Sequence, residues 1–229
     1  MQNIRVVLAD DHTVVRQGLR TLLEAEEDIS VVGESENGHQ AVQLAKGLQP
    51  DVIVMDIAMP SLNGLEATRQ ITRESPAPRV LILSSYSDDE YVQQLTEAGA
   101  SGYLVKQSAG PDLVKAIREA KKGNAFFSPI ISRRLLDHHR RASSAGQPLK
   151  KGSVLTPREM QVLQLIAEGH ANRQIADKLC ISIKTVEKHR QEVMNKLDIH
   201  DVASLTRYAV SRGIVQNPRD AETDARVNC

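Results

Sequence analysis

The chain has 229 residues with 41% hydrophobic and 25% charged side chains, the balance of an ordinary soluble protein, and its formal net charge is zero. No apolar run approaches the ~20 residues of a membrane span. The N-terminal residues lack a signal peptide's basic-then-apolar layout, and two cysteines, Cys180 and Cys229, are too sparse for a disulfide framework or a zinc cluster. A membrane protein, a secreted mini-protein and a zinc module are excluded, and a reduced cytoplasmic setting is expected.

The zero net charge hides an asymmetry. Residues 1–122 carry 12 Lys and Arg against 18 Asp and Glu, whereas residues 150–212 carry 11 against 7. An acidic front and a basic back predict two domains with different partners. In chain order, the β-branched run Ile4–Ala9 predicts a strand, and helical spacing follows from Thr13 to Ala25. A second strand is expected at Ser30–Glu34 and a second helix at Gly38–Leu48. Residues Asp51–Asp56 are apolar between two acidic ends, as in a strand buried on both faces of a parallel sheet. A helix over Leu62–Arg73, a strand over Arg79–Ser84, a helix over Asp88–Ala98, a strand over Ser101–Val105 and a helix over Pro111–Lys122 complete five βα units. That alternation predicts an α/β fold with a five-stranded, doubly wound parallel sheet of order 2-1-3-4-5.

Past Gly123-Asn124 the pattern changes. A basic helix is expected from Phe126 to Arg141, then a flexible stretch rich in small and polar residues over 142–152. Only helical periodicity remains from Leu155 to Val215, and the polar segment 216–229 predicts a disordered tail. The expected boundaries are a first domain over 1–123, a linker over 124–153, and a four-helix all-α domain over 154–215.

The chemistry concentrates at the strand ends. Asp10 and Asp11 close the first strand and Asp56 the third, and in a doubly wound sheet of this order the ligand crevice lies between those two strands. Three clustered carboxylates repel one another, and a hard divalent cation such as Mg2+ relieves the repulsion. Ser84 ends the fourth strand and Lys106 follows the fifth, so a hydroxyl and an ammonium face the same crevice. Carboxylates, a cation, a lysine and a hydroxyl are what transfer of a phosphoryl group to an aspartate requires. Taken singly, each acid could instead cap the helix that follows it.

These residues resemble a response-regulator receiver domain of flavodoxin-like fold. Asp10-Asp11 matches the acidic pair, Met55-Asp56-Ile57-Ala58-Met59-Pro60 the phosphoacceptor segment, and Gly102-Tyr103-Leu104-Val105-Lys106 the lysine motif. The resemblance implies that Asp56 accepts phosphate from a sensor histidine kinase. It implies Mg2+ held by Asp11, Asp56 and the Ala58 carbonyl with Asp10 nearby, Lys106 on a phosphoryl oxygen, and Ser84 as the switch hydroxyl. Tyr103 is the implied switch aromatic, its ring swinging inward after phosphorylation. Gln107 departs from the proline often found after the lysine.

In the basic half, Thr156, Pro157 and Glu159 form a strong helix start. A short helix begins at Asn172 or Arg173, Cys180-Ile181 makes a tight connection, and Ser182 caps a third helix running to Leu197. Two helices so joined form a helix-turn-helix. Lys184, Glu187, Lys188 and Gln191 share the outward face, and their side chains suit base edges in the major groove of double-stranded DNA. Such a stripe, taken alone, also fits a solvated helix face. Thr185, His189, Arg190, Lys196 and Arg173 are expected at the rim, near phosphates.

Residues 155–197 resemble the LuxR-type helix-turn-helix, and with the receiver the chain resembles a NarL/FixJ-type response regulator over about residues 3–215. That implies a transcription factor and not an enzyme, with a homodimer on DNA, RNA polymerase as a further partner and no membrane association. The fourth helix would pair two copies through Leu205, Tyr208 and Ala209. Two other readings use the same pocket: regulation by protein contact without phosphate, and a Mg2+-dependent phosphohydrolase with Asp56 as nucleophile.

Overall fold

A computed structural model describes residues 3–84, 89–106, 109–129, 131–133 and 155–215. Residues 134–153 of the expected linker, the expected tail, Gln107 and Cys229 lie outside them. The chain divides into two compact units, residues 1–146 and 147–229.

In the first unit, strands β1 (Ile4–Ala9), β2 (Ile29–Ser35), β3 (Val52–Met55), β4 (Arg79–Ser84), β5 (Gly102–Val105) and β6 (Phe126–Phe127) form one parallel sheet of order β2-β1-β3-β4-β5-β6. Helices α1 (Thr13–Glu24), α2 (Gly38–Leu48), α3 (Gly64–Thr72), α4 (Asp89–Glu97) and α5 (Ala109–Lys121) alternate with the first five strands. Successive strand side chains point to opposite faces. Val6, Leu8, Val52, Val54, Leu81, Leu83 and Leu104 therefore fall in one cluster with Leu23 of α1 and Leu113 and Ile117 of α5. The alternate residues Val7, Ile53, Met55 and Ile82 are equally buried, which is why the central strands read as unbroken apolar runs.

The five-strand expectation is corrected to six. Phe126 and Phe127 do not begin a helix but pair with Gly102 and Tyr103. Gly102 allows this, since a Cβ there would lie 2.3 Å from the Phe126 carbonyl oxygen. The expected start of α3 at Leu62 also moves, because the Asn63 side chain accepts the Glu66 backbone N–H at 2.9 Å and fixes the cap there.

In the second unit, α6 (Pro157–Ala167) is buried from Glu159 to Ile166 apart from a half-buried Gln161. Helices α7 (Asn172–Leu179), α8 (Ile183–Leu197) and α9 (Val202–Ser211) pack around it. Thr156 and Glu159 form a reciprocal capping box at the start of α6. Cys180, at φ 52°, reverses the chain between α7 and α8, and the Ser182 hydroxyl accepts the Thr185 N–H at 3.1 Å to start α8. Among the described residues no helix is long and apolar enough to cross a membrane.

Candidate functional site: an acidic pocket and an exposed recognition helix

Parallel strands deliver Asp10, Asp56, Ser84 and Lys106 to one edge of the sheet from positions up to 96 residues apart. Asp10 and Asp56 are buried, and the Lys106 ammonium lies 2.8 Å from a carboxylate oxygen of each. The Ile57 backbone N–H donates to the other Asp56 oxygen at 2.8 Å. Glycine at 64 lets the loop after β3 close over this residue: its N–H donates to the Ile57 carbonyl at 2.8 Å, and a Cβ at 64 would lie 2.0 Å from the Asp56 carbonyl oxygen.

Burial pushes the Asp56 carboxyl up to about 6, with Lys106 opposing and the Asp10 and Asp11 charges adding to the rise. Burial acts the same way on Asp10, but hydrogen bonds from His12 and the Lys106 charge outweigh it and hold Asp10 below the ordinary carboxylate range. Burial would lower the Lys106 ammonium, yet Asp56 and Asp10 together raise it above its usual value. The His12 ring nitrogen Nδ1 sits 3.1 Å from oxygens of both Asp10 and Asp11, and those carboxylates raise the imidazole to about 10. Negative charge in the pocket is thus only partly offset.

One ligand atom each from Asp10, Asp11, His12 and Asp56 lies within 4.8 Å of the others. Oxygen-rich donor sets of this kind suit a hard cation such as Mg2+, so the residues fit the ion the sequence implied. Ala58, two residues past Asp56, is buried, and Ser84 is fully buried at the end of β4. Tyr103 is 1% exposed, so its ring already occupies the inward position expected of the phosphorylated state. The pocket residues converge as expected, and the structure adds His12, Arg16 and Gly64. Arg16 had a legible signal: a charge three and seven residues before Leu19 and Leu23, on the inward stripe of α1.

On α8, Lys184, Glu187, Lys188 and Gln191 are all exposed, while Val186 and Val193 are fully buried on the opposite face. Leu197, the last residue of α8, is half-buried. Arg173 is exposed, and Thr185, His189 and Arg190 are half-buried, with Arg190 donating to the Asn172 side chain at 3.2 Å. Ile183 adds an exposed apolar group at the start of the same helix. Two expectations are corrected. Lys196 leaves the phosphate-contacting set, because its ammonium is held 2.7 and 3.0 Å from the two oxygens of buried Glu159. Leu205 and Ala209 cannot form a dimer seam: both are fully buried within the unit, four residues apart on the inward stripe of α9. Tyr208 is half-buried under the Arg212 guanidinium, and the exposed face of α9 carries Val202, Ala203 and Arg207.

Residues 6–118 match the family model for the response regulator receiver domain, and residues 153–209 match that for bacterial regulatory proteins of the luxR family. The transcriptional regulatory protein LiaR of Bacillus subtilis is 42% identical over 90% of this chain and 96% of its own. The transcriptional regulatory protein DegU of Brevibacillus brevis is 36% identical over 93% and 95%. Among solved structures, the RcsB response regulator of Salmonella typhimurium superposes with a TM-score of 0.68 at 30% identity, covering 94% of this chain and all of that one. RcsB from Salmonella enterica bound to promoter rprA with phosphomimetic BeF3- gives 0.65 at 30% identity over 90% and 98%.

Proposed function

The chain belongs to the LuxR family of DNA-binding two-component response regulators, and from that premise we propose that Asp56 is its phosphoacceptor and that phosphate there controls DNA binding by α8. An Asp56 oxygen attacks the phosphorus of a phosphohistidine on a sensor kinase. The P–N bond breaks, and the imidazole nitrogen keeps the electron pair and takes up a proton. Asp10, Asp11, Asp56 and the Ala58 carbonyl would hold Mg2+, which when bound would supply positive charge beside the transferring oxygens. Lys106 keeps Asp10 and passes from the Asp56 carboxylate to a phosphoryl oxygen, while Ser84 turns its hydroxyl to another and Tyr103 secures the rearranged strand ends. The observation that carries this reading is Lys106, a half-buried lysine whose ammonium lies 2.8 Å from both aspartates. The reaction is one transfer onto the protein itself, so we read the chain as a regulator and not as an enzyme.

At the DNA, Lys184, Glu187, Lys188 and Gln191 read base edges in the major groove, and Arg173, Thr185, His189 and Arg190 contact phosphates. A homodimer is the DNA-bound form, by analogy with the solved complex described as two RcsB dimers bound to two parallel DNAs. RNA polymerase is the expected downstream partner, the cytoplasm the expected setting, and the domain limits of 1–123 and 154–215 the expected working units. The test is DNA affinity of wild type and Asp56→Ala at fixed salt, with and without Mg2+ and a small phosphodonor. Tighter binding by wild type alone supports the reading; equal, donor-independent binding by both overturns it.

A further inference from the structure

Arg16 is 7% exposed, an expensive place for a guanidinium unless its donors are all engaged. They are directed at three acceptors on two strand ends. Nη1 donates to the Asp10 backbone carbonyl at 2.7 Å, Nε to Glu34 at 2.9 Å and Nη2 to Glu36 at 3.0 Å. Glu34 is the next-to-last residue of β2 and also receives Arg20 at 2.6 Å. The Asp10 N–H donates to the Ser35 carbonyl at 3.1 Å. Both backbone groups of Asp10 are therefore pinned, one by β2 and the other by Arg16. The peptide fixed by Arg16 is the one joining Asp10 to Asp11.

We infer that Arg16 is a positioning residue for cation binding, setting the Asp10-Asp11 peptide so that both carboxylates face Asp56. It touches neither the ion nor the phosphate. The inference rests on the proposed Mg2+ role of the pocket, and its sign separates it from simple electrostatics. A cation beside an acidic site opposes Mg2+ binding, so removing its charge alone would tighten the site. Removing a positioning bond loosens it. Groups that orient metal ligands from behind typically change metal affinity 10–100-fold when lost, and a bond to backbone rather than to the ligand atom belongs at the lower end.

The experiment is a Mn2+ titration of the full chain followed by electron paramagnetic resonance, with Mg2+ competition, for wild type, Asp11→Asn, Arg16→Met, Arg16→Lys and Glu36→Gln, each checked for fold by circular dichroism. Asp11→Asn tests the pocket itself: undiminished binding there removes the underlying Mg2+ assignment, whatever Arg16 does. Given Asp11-dependent binding, the expected results are roughly tenfold weaker affinity in Arg16→Met and a smaller loss in Arg16→Lys. Glu36→Gln, which spares the carbonyl bond, should stay within about twofold. Arg16→Lys keeps the charge, so its loss reports geometry even if Arg16→Met does not fold. Unchanged affinity in folded Arg16→Lys, or tighter binding in Arg16→Met, overturns the inference.

Discussion

Both units bury charge, and the two burials differ in kind. In the receiver, Asp10, Asp56 and Lys106 share one pocket in which the carboxylates outweigh the cations close enough to help, and Asp56 is left raised to about 6. In the helical unit, buried Glu159 meets burial with more than it needs. Lys196 lies against both oxygens, and the Thr156 N–H donates at 2.7 Å, so the carboxyl is held below its ordinary value. A compensated buried charge is architecture; an undercompensated one at the edge of a sheet is a place for something to bind. The residues proposed to read DNA follow a third rule, since they are exposed and contribute little to the fold.

The sharpest break of this comparison is at Gly64. Gly64→Val would drive side-chain carbon into the Asp56 carbonyl and should cost the receiver about 3 kcal/mol or more while abolishing phosphate uptake. Chemical denaturation and donor labelling check both. Next is Glu159→Ala, expected to cost about 3 kcal/mol by stranding Lys196 and removing the Glu159 half of the capping box on α6. The folded pKa of Glu159 is depressed, so its contribution is present above the unfolded value near 4.5 and fades as pH falls through the folded one. Melting curves of the two proteins should converge in acid.

The receiver should respond with the opposite sign. Without divalent cation, Asp56→Asn should raise stability by roughly 1–3 kcal/mol above pH 6. The folded carboxyl titrates near 6 against 3.8 unfolded, so the wild-type penalty grows as pH rises between those values and the gain vanishes below about 4. Saturating Mg2+ should close the gap by stabilising wild type alone; a stability loss at neutral pH would show that Asp56 is compensated after all. The smallest effect on folding is at the recognition helix. Lys188→Ala should shift stability by less than about 0.5 kcal/mol yet weaken DNA binding by roughly tenfold, measured by melting and by titration of operator DNA.

Much of this was legible in the sequence. Asp10, Asp11, Asp56, Ser84 and Lys106 each sit at a strand end, and the order of a doubly wound sheet brings such ends together. The capping box at Thr156 and Glu159 and the outward stripe on α8 follow from local spacing. The failures share a cause: Phe126-Phe127 is too short to show a period, and Leu205 with Ala209 is an apolar stripe whose direction no periodicity reveals. Lys196 looked like a surface cation because its partner lies 37 residues earlier.

Sequence by itself therefore determined the order of elements, the two-unit division of chemistry and the aspartates, serine and lysine of the pocket, because these depend on local propensity and on strand-end position. Tertiary structure alone decided which charges are satisfied, that Arg16 grips the Asp10 carbonyl, that Gly102 admits a sixth strand and that α9 turns Leu205 inward. Those outcomes depend on distances of a few ångströms between residues far apart in the chain, where burial and pairing set the energies.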